Sequence, residues 1–365
     1  MKERLKVIKM KKNKYSKLIL SALLILSFSG CGKKEADTTP EASTAIPTST
    51  TDTSAAPAGT YFSETTGLPI NEDIKNQKPI AVMIDCENIA LPSFGVAEAD
   101  IVYDMMNNVR NGRITRFMAI YKDYDKIAQI GSIRSTRTTN VWLAGEWNAI
   151  LIHDGQASYA LDYLYKDYAQ QHLSSGFTRV DNGKASEFTE YPMAGEITSR
   201  IQDAGYNKNY DQFEQPGNHF TYIKYNTVLN TVSFNDATSV ALPFPHNETT
   251  LAYNTETKTY DLSMYGELHK DADDDQVLTF TNALLLDCPF TEYPDGGYVY
   301  YNIVNNSGEG YYLTNGKMEP ITWKKGEENE ITHYYDANGK ELEMNRGKTY
   351  ISLVPSDVWG DLAIQ

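Results

Sequence analysis

Pro79-Ile80-Ala81-Val82-Met83-Ile84-Asp85 decides the fold class: a short, uninterrupted apolar run between a proline and a carboxylate reads as a strand rather than a helix. Three more runs of the same kind surround it: Ala99-Asp100-Ile101-Val102-Tyr103, Thr115-Arg116-Phe117-Met118-Ala119-Ile120-Tyr121 and Ala149-Ile150-Leu151-Ile152-His153. Residues 138–147, 158–166 and 195–204 carry helical spacing between and after them. Strands alternating with helices predict an α/β domain with a mixed sheet over 61–215.

From about Asn230 the texture changes. Gly297-Tyr298-Val299-Tyr300-Tyr301, Tyr311-Tyr312-Leu313-Thr314 and Thr349-Tyr350-Ile351-Ser352-Leu353 are rich in β-branched and aromatic residues. Asn315-Gly316 and Asn338-Gly339 suit hairpin turns, which need positive φ. Residues 230–360 are therefore expected to form a smaller β-rich domain, sandwich or barrel-like. The chain as a whole is α+β, with a boundary between 205 and 235.

The N-terminus is a different kind of segment. Eight basic residues against one acid occupy 1–17, and an apolar run over 18–28 follows, ending in Phe28-Ser29-Gly30-Cys31. A basic region, an apolar stretch too short for comfortable spanning and small residues before a cysteine describe a lipoprotein signal peptide over 1–30. Cys31 is the expected site of lipidation, including palmitate. The stretch 31–60 is Ser, Thr, Ala and Pro with few charges, a composition that cannot bury enough apolar surface to order itself. Such a stalk holds the body a few tens of ångströms, on the order of 5–6 Å times the square root of its length, from a membrane.

Cleavage would remove eight basic residues and one acid from the chain's 33 and 48, leaving 25 against 47 and a net charge of −22. A body this acidic is repelled by nucleic acid and by anionic headgroups, so any anion site must be local. Cys86 and Cys288 remain after lipidation; their spacing does not predict a pairing. With no Cys-x-x-Cys and no His-rich tract, no metal and no cofactor are expected.

Charge is uneven in one place. Five of the eight mature-chain arginines, Arg110, Arg113, Arg116, Arg134 and Arg137, lie within 110–137. Gly131-Ser132-Ile133-Arg134-Ser135-Thr136-Arg137 leaves a strand and enters a helix, where small residues and backbone N–H groups let an anion approach and guanidinium groups bind it bidentately. Arg113, Arg116, Ser132, Arg134, Ser135 and Arg137 are the candidate ligand-binding residues, for a phosphate or carboxylate. The alternative is that Arg134 and Arg137 pair internally with Asp85, Asp100 or Asp104. Asp85, His153 and Asp154 end their strands and are the candidate catalytic groups if the crevice also carries a base. Cys86 reads as a small buried residue rather than a nucleophile.

Thr66-Gly67-Leu68-Pro69, the run ending at Asp85, Ala99–Tyr103, Ile114-Thr115-Arg116 and Ile130–Arg137 together resemble the YerB-like lipoproteins, the DUF3048 family. Gly310–Lys317, Ile321-Thr322-Trp323-Lys324-Lys325 and Gly347-Lys348-Thr349-Tyr350-Ile351 resemble its C-terminal domain. The family usually has Asn where this chain has Cys86 and Pro where Ser132 stands. The order of Asp85, residues 100–103, Ser132–Ser135 and His153-Asp154-Gly155 is similar to that of LytR-CpsA-Psr phosphotransferases, but Ser135 replaces the acid that follows their key arginine. These likenesses imply a lipid-anchored protein on the outer face of the cytoplasmic membrane of a bacterium, with a Gram-positive envelope the expected setting. Three roles follow: a module binding an anionic or carbohydrate envelope component, a phosphotransferase or hydrolase on wall polymer, or a scaffold for exported proteins.

Overall fold

The structure is a computed structural model that describes residues 55–365. The expected signal peptide, Cys31 and the expected stalk up to residue 54 lie outside the described residues. The four apolar runs form β1 (Ile80–Ile84), β2 (Ile101–Met106), β3 (Thr115–Tyr121) and β4 (Ile150–His153), in which every residue is buried. Both sheet faces are therefore covered, which is why these runs lack polar alternation. β3 lies antiparallel between β2 and β1; β4 runs parallel to β1, and β5 (His172–Ser174) parallel to β4. The antiparallel neighbours and the parallel ones make the sheet mixed.

The C-terminal half is β-rich, and its four longest strands continue the same sheet. β6 (Asn282–Cys288), β7 (Asn306–Thr314), β8 (Lys317–Lys325) and β9 (Thr349–Pro355) give the order β8-β7-β6-β9-β2-β3-β1-β4-β5. Asn235–Asp236 and His333–Tyr335 pair with β8 and complete eleven strands. The junction is the parallel pair β2–β9, in register from Ile101↔Thr349 to Met105↔Leu353. Segments 61–215 and 230–360 thus share one sheet and one buried core that runs from Ile80 to Val354. β7 and β8 form a hairpin at Asn315-Gly316, whose φ values of 55° and 70° are those of a type I′ turn. A separate six-stranded sheet centres on Thr259–Met264, which alternates Tyr260, Leu262 and Met264 inward.

Helix α1 (Thr138–Glu146) is buried along its whole length, and Asn140 accepts the Arg137 N–H at 3.0 Å to close its first turn. At its end, Glu146 accepts from Lys325 Nζ of β8 at 2.7 Å, Thr332 Oγ1 at 2.8 Å and Tyr103 OH at 3.1 Å. The helical spacing at 158–166 yields only a 3-10 turn, Ser158–Ala160, and the single-turn α2 (Leu161–Leu164), because Ala160 and Leu164 alone find cover. The pattern at 195–204 becomes α3 (Glu196–Asp203), buried through Ile197 and Ile201. Cys86 and Cys288 are both free and buried, and burial pushes both thiols well up. No helix among the described residues is long and apolar enough to cross a membrane.

Candidate functional site

The segment from Gly131 to Arg137 is threaded between the ends of β1 and β4. Asp85 N–H donates to Ser132 O at 3.0 Å, Arg134 N–H to Met83 O at 2.9 Å, and Asp154 N–H to Arg134 O at 3.0 Å. Thr136 N–H takes Gly155 O at 3.1 Å and Ile133 N–H takes Glu190 O at 3.0 Å. The backbone donors of Ile133, Arg134, Thr136 and Arg137 are therefore all engaged within the protein. What the segment offers a ligand is its side chains.

Those side chains differ in what they already hold. Arg134 is consumed by carboxylates: its Nε lies 2.6 Å from Asp85 Oδ2 and its Nη1 2.9 Å from Glu187 Oε2. Asp85 is buried and also accepts the Glu87 N–H at 2.9 Å, so this pair ties the end of β1 to the segment. Arg113 sits apart, with Nη1 at 3.1 Å and Nη2 at 2.5 Å from the Asp357 carboxylate.

Arg116 and Arg137 hold no carboxylate. Arg116 Nη1 donates to Ser135 O at 2.7 Å, and Arg137 Nη1 donates to Thr136 O at 2.8 Å and Ser135 O at 3.4 Å. Both residues are 9% exposed, and the Nε of each is buried without a hydrogen-bond partner. Arg137 also lies over the Tyr298 ring at 4.5 Å. Burial, reinforced by the neighbouring Arg116, pushes the Arg137 guanidinium down to about 9. Burial lowers Arg116 as well, with Asp85 pulling it back up and Arg134 adding to the fall. A buried cation held by carbonyls alone is costly, and a bound anion would offset that cost.

Both guanidinium groups line a crevice of about 310 Å³, whose walls include Glu87, Asn107, Asn108, Arg134 and Tyr298. Asn107 adds a buried Oδ1 without a partner. Ser135 lines the crevice, but its hydroxyl donates to Asp154 O at 2.8 Å. Ser132 follows a cis peptide bond and is buried, its Oγ unpartnered. Asn107, Asn108, Glu87 and Tyr298 were not among the sequence candidates. Tyr298 comes from the C-terminal half, and no local pattern links it to the arginines.

The candidate catalytic groups do not gather in this crevice. His153 Nδ1 lies 2.7 Å from Gly155 O, so it carries the proton, and Nε2 faces His172 Nδ1 at 3.0 Å. Burial holds its pKa down to about 4, which keeps the ring neutral. Asp154 lies 3.3 Å from Arg179 Nη2, a group that also pairs with Glu190. Asp85 is bound to Arg134. Asp100 accepts from Thr65 Oγ1 at 2.7 Å and from Lys122 N–H at 2.8 Å, and Asp104 from Tyr350 OH at 2.7 Å; neither contacts an arginine. The arrangement suits bidentate capture of an oxyanion by two planar cations.

Two family models match the chain: "Protein of unknown function (DUF3048) N-terminal domain" over residues 65–207, and the corresponding C-terminal domain over 240–351. A Bacillus subtilis (strain 168) protein named "Putative lipoprotein YerB" is 25% identical over 301 residues, covering 80% of this chain and 85% of that protein. The crystal structure of the Bacillus subtilis YerB protein aligns with a TM-score of 0.68 at 21% identity, over 83% of this chain and 99% of that one. That likeness establishes the fold.

Proposed function

The chain belongs to the DUF3048 family, and on that premise we propose that it is a lipid-anchored extracytoplasmic protein whose arginine crevice binds a phosphate- or carboxylate-bearing component of the cell envelope. The anchor rests on the basic 1–17 segment, the apolar run over 18–28 and Cys31, together with the lipoprotein named among its relatives. One observation carries the binding reading: Arg116 and Arg137 are nine-tenths buried, have no carboxylate partner and face the same cavity. In a body of strong negative charge, two such cations are a local exception, and an anionic ligand would neutralise the charge that Asp85 and Glu87 leave uncompensated.

The ligand reaches the crevice against the field of the whole molecule. Repeated phosphates on one polymer present the crevice with several equivalent binding registers, a statistical gain that works against this repulsion. Binding of a glycerol-phosphate oligomer to the mature chain, followed by calorimetry, tests the proposal. Arg137→Gln is expected to weaken it about ten- to hundredfold, the worth of one charge-assisted contact. Equal affinity in wild type and variant would refute the assignment. Cys31→Ser is expected to abolish labelling by a palmitate analogue in cells; undiminished labelling would refute the anchor.

A further inference from the structure

A cleft elsewhere on the molecule shares no residue with the arginine crevice. It measures about 720 Å³ and is enclosed by the end of α1, the turn after Phe62, and the loop from Asn209 to Tyr222. Its volume lies within the range of small-molecule sites and leaves room for more than one sugar ring.

Its charges are largely spent. Glu64 pairs with Lys122 at 2.8 Å, Glu146 with Lys325 at 2.7 Å, and Lys75 with Glu72 at 3.0 Å. Arg346 donates to Ile223 O at 2.9 Å and to Gly67 O, and stacks on Phe62 at 4.5 Å. Glu214, which is exposed, also lines the cleft. The lining is close to neutral, so neither a polyanion nor a polycation is selected.

The unused groups are hydrogen-bonding ones. Asn148 is 4% exposed; its Nδ2 donates to Asp211 Oδ1 at 3.0 Å, while its Oδ1 has no partner. His219 stacks on Trp147 with ring centroids 3.5 Å apart and planes at 8°. Its Nε2 lies 2.8 Å from Glu146 O and must carry the proton. Burial holds the ring down to about 4, so it is neutral and its Nδ1 is a lone-pair acceptor. Asn76, Asn209 and Asn218 also line the cleft, as do Tyr210 and Tyr222, whose rings each carry a cation over one face, Lys122 at 4.8 Å and Arg346 at 5.8 Å.

We propose that this cleft is a second binding site, for a neutral oligosaccharide. Sugar hydroxyls would donate to Asn148 Oδ1 and His219 Nδ1, amide side chains would bind further hydroxyls, and the aromatic faces would cover the apolar faces of the rings. Two sites of different chemistry on one chain would let it hold a glycan and a charged polymer together.

The test uses the mature chain titrated with chitotetraose, cellotetraose and maltotetraose by calorimetry, with intrinsic tryptophan fluorescence as a second readout because Trp147 lines the cleft. At least one tetrasaccharide is expected to bind in the submillimolar range. Asn76→Ala/Asn218→Ala removes two exposed side chains with no internal hydrogen bonds and is expected to weaken that binding at least about tenfold, with thermal unfolding unchanged. Arg137→Gln is expected to leave saccharide affinity intact, so failure of the anion reading and failure of this one are separable. The proposal is overturned if no tetrasaccharide binds at ~10 mM, if the double alanine variant binds as tightly as wild type, or if Arg137→Gln abolishes binding.

Discussion

Arg134 and Arg137 stand three positions apart, and the structure predicts opposite consequences for their loss. Arg134→Gln removes the ion-pair partner of the buried Asp85, whose Oδ2 it approaches at 2.6 Å. Stripping one partner from a buried pair costs about 3–5 kcal/mol, and the lower end applies because Asp85 keeps the Glu87 N–H. For a body of this size that lowers Tm by at least about 6 °C, at roughly 2 °C per kcal/mol. Arg137→Gln loses two carbonyl contacts and the stack on Tyr298, together on the order of 3–5 kcal/mol. It also removes a charge whose guanidinium is held down to about 9 by burial and by the neighbouring Arg116, and relief of that burial and repulsion offsets the lost contacts. Arg137→Gln is therefore expected to melt within about 3 °C of wild type. A ligand at a hundred times its Kd stabilises by about 2.7 kcal/mol, so the glycerol-phosphate oligomer should raise the Tm of wild type by about 5 °C and that of Arg137→Gln, bound ten- to hundredfold more weakly, by only about 1–3 °C. Scanning calorimetry of the three proteins with and without the oligomer decides it. Arg137→Gln destabilised as much as Arg134→Gln, or an Arg137→Gln protein that keeps the full ligand-induced rise, would refute the reasoning.

Three further outcomes follow. Lys325→Met strands the buried Glu146 carboxylate and should cost roughly 3–5 kcal/mol in chemical denaturation; a loss under about 1 kcal/mol would mean the pair does not join the two halves as described. His153, His219 and His269 are each held down to about 4 by burial, so between pH 6.5 and 4 these three side chains bind more protons in the unfolded chain than in the folded one, and the stability they contribute is lost as pH falls through that window. Buried carboxylates act the other way, Asp100 and Asp104 raised to about 6 and Glu319 to about 7, so the check is on the histidines themselves: imidazole resonances that titrate near 6.5 would contradict this. A fragment spanning 61–215 exposes the β2 edge that β9 covers and leaves Glu146 without Lys325, so it should show no cooperative unfolding transition; a sharp one would mean the N-terminal half is self-sufficient.

The parts of the fold that depend on local pattern were readable in the sequence. β1 to β4 fall on the four apolar runs, and Asn315-Gly316 makes its hairpin, because burial and positive φ leave marks within a few residues. Strand neighbours leave no such mark. Tyr350 and Asp104 meet across β9 and β2 although they are 246 positions apart, and nothing in either run names its partner. The same limit applies to the site. Composition marked 110–137 as a basic island but could not distinguish Arg134, which reaches back to Asp85, from Arg137, which lies under Tyr298 of the other half. The separation of His153 from Asp154 was more accessible: successive residues leaving an extended strand point different ways, and here one meets His172 and the other Arg179.

Arg116 and Arg137 are two buried cations with no carboxylate partner, and the proposed ligand is an anion. The guanidinium Nε–H resonances of these residues report on it directly, since each Nε is buried without a partner. Titrating the mature chain with the glycerol-phosphate oligomer is predicted to shift the Arg116 and Arg137 Nε–H resonances together, saturably, and to leave those of Arg113 and Arg200 in place. Resonances of Arg116 and Arg137 that stay fixed while the oligomer is in excess would contradict the account.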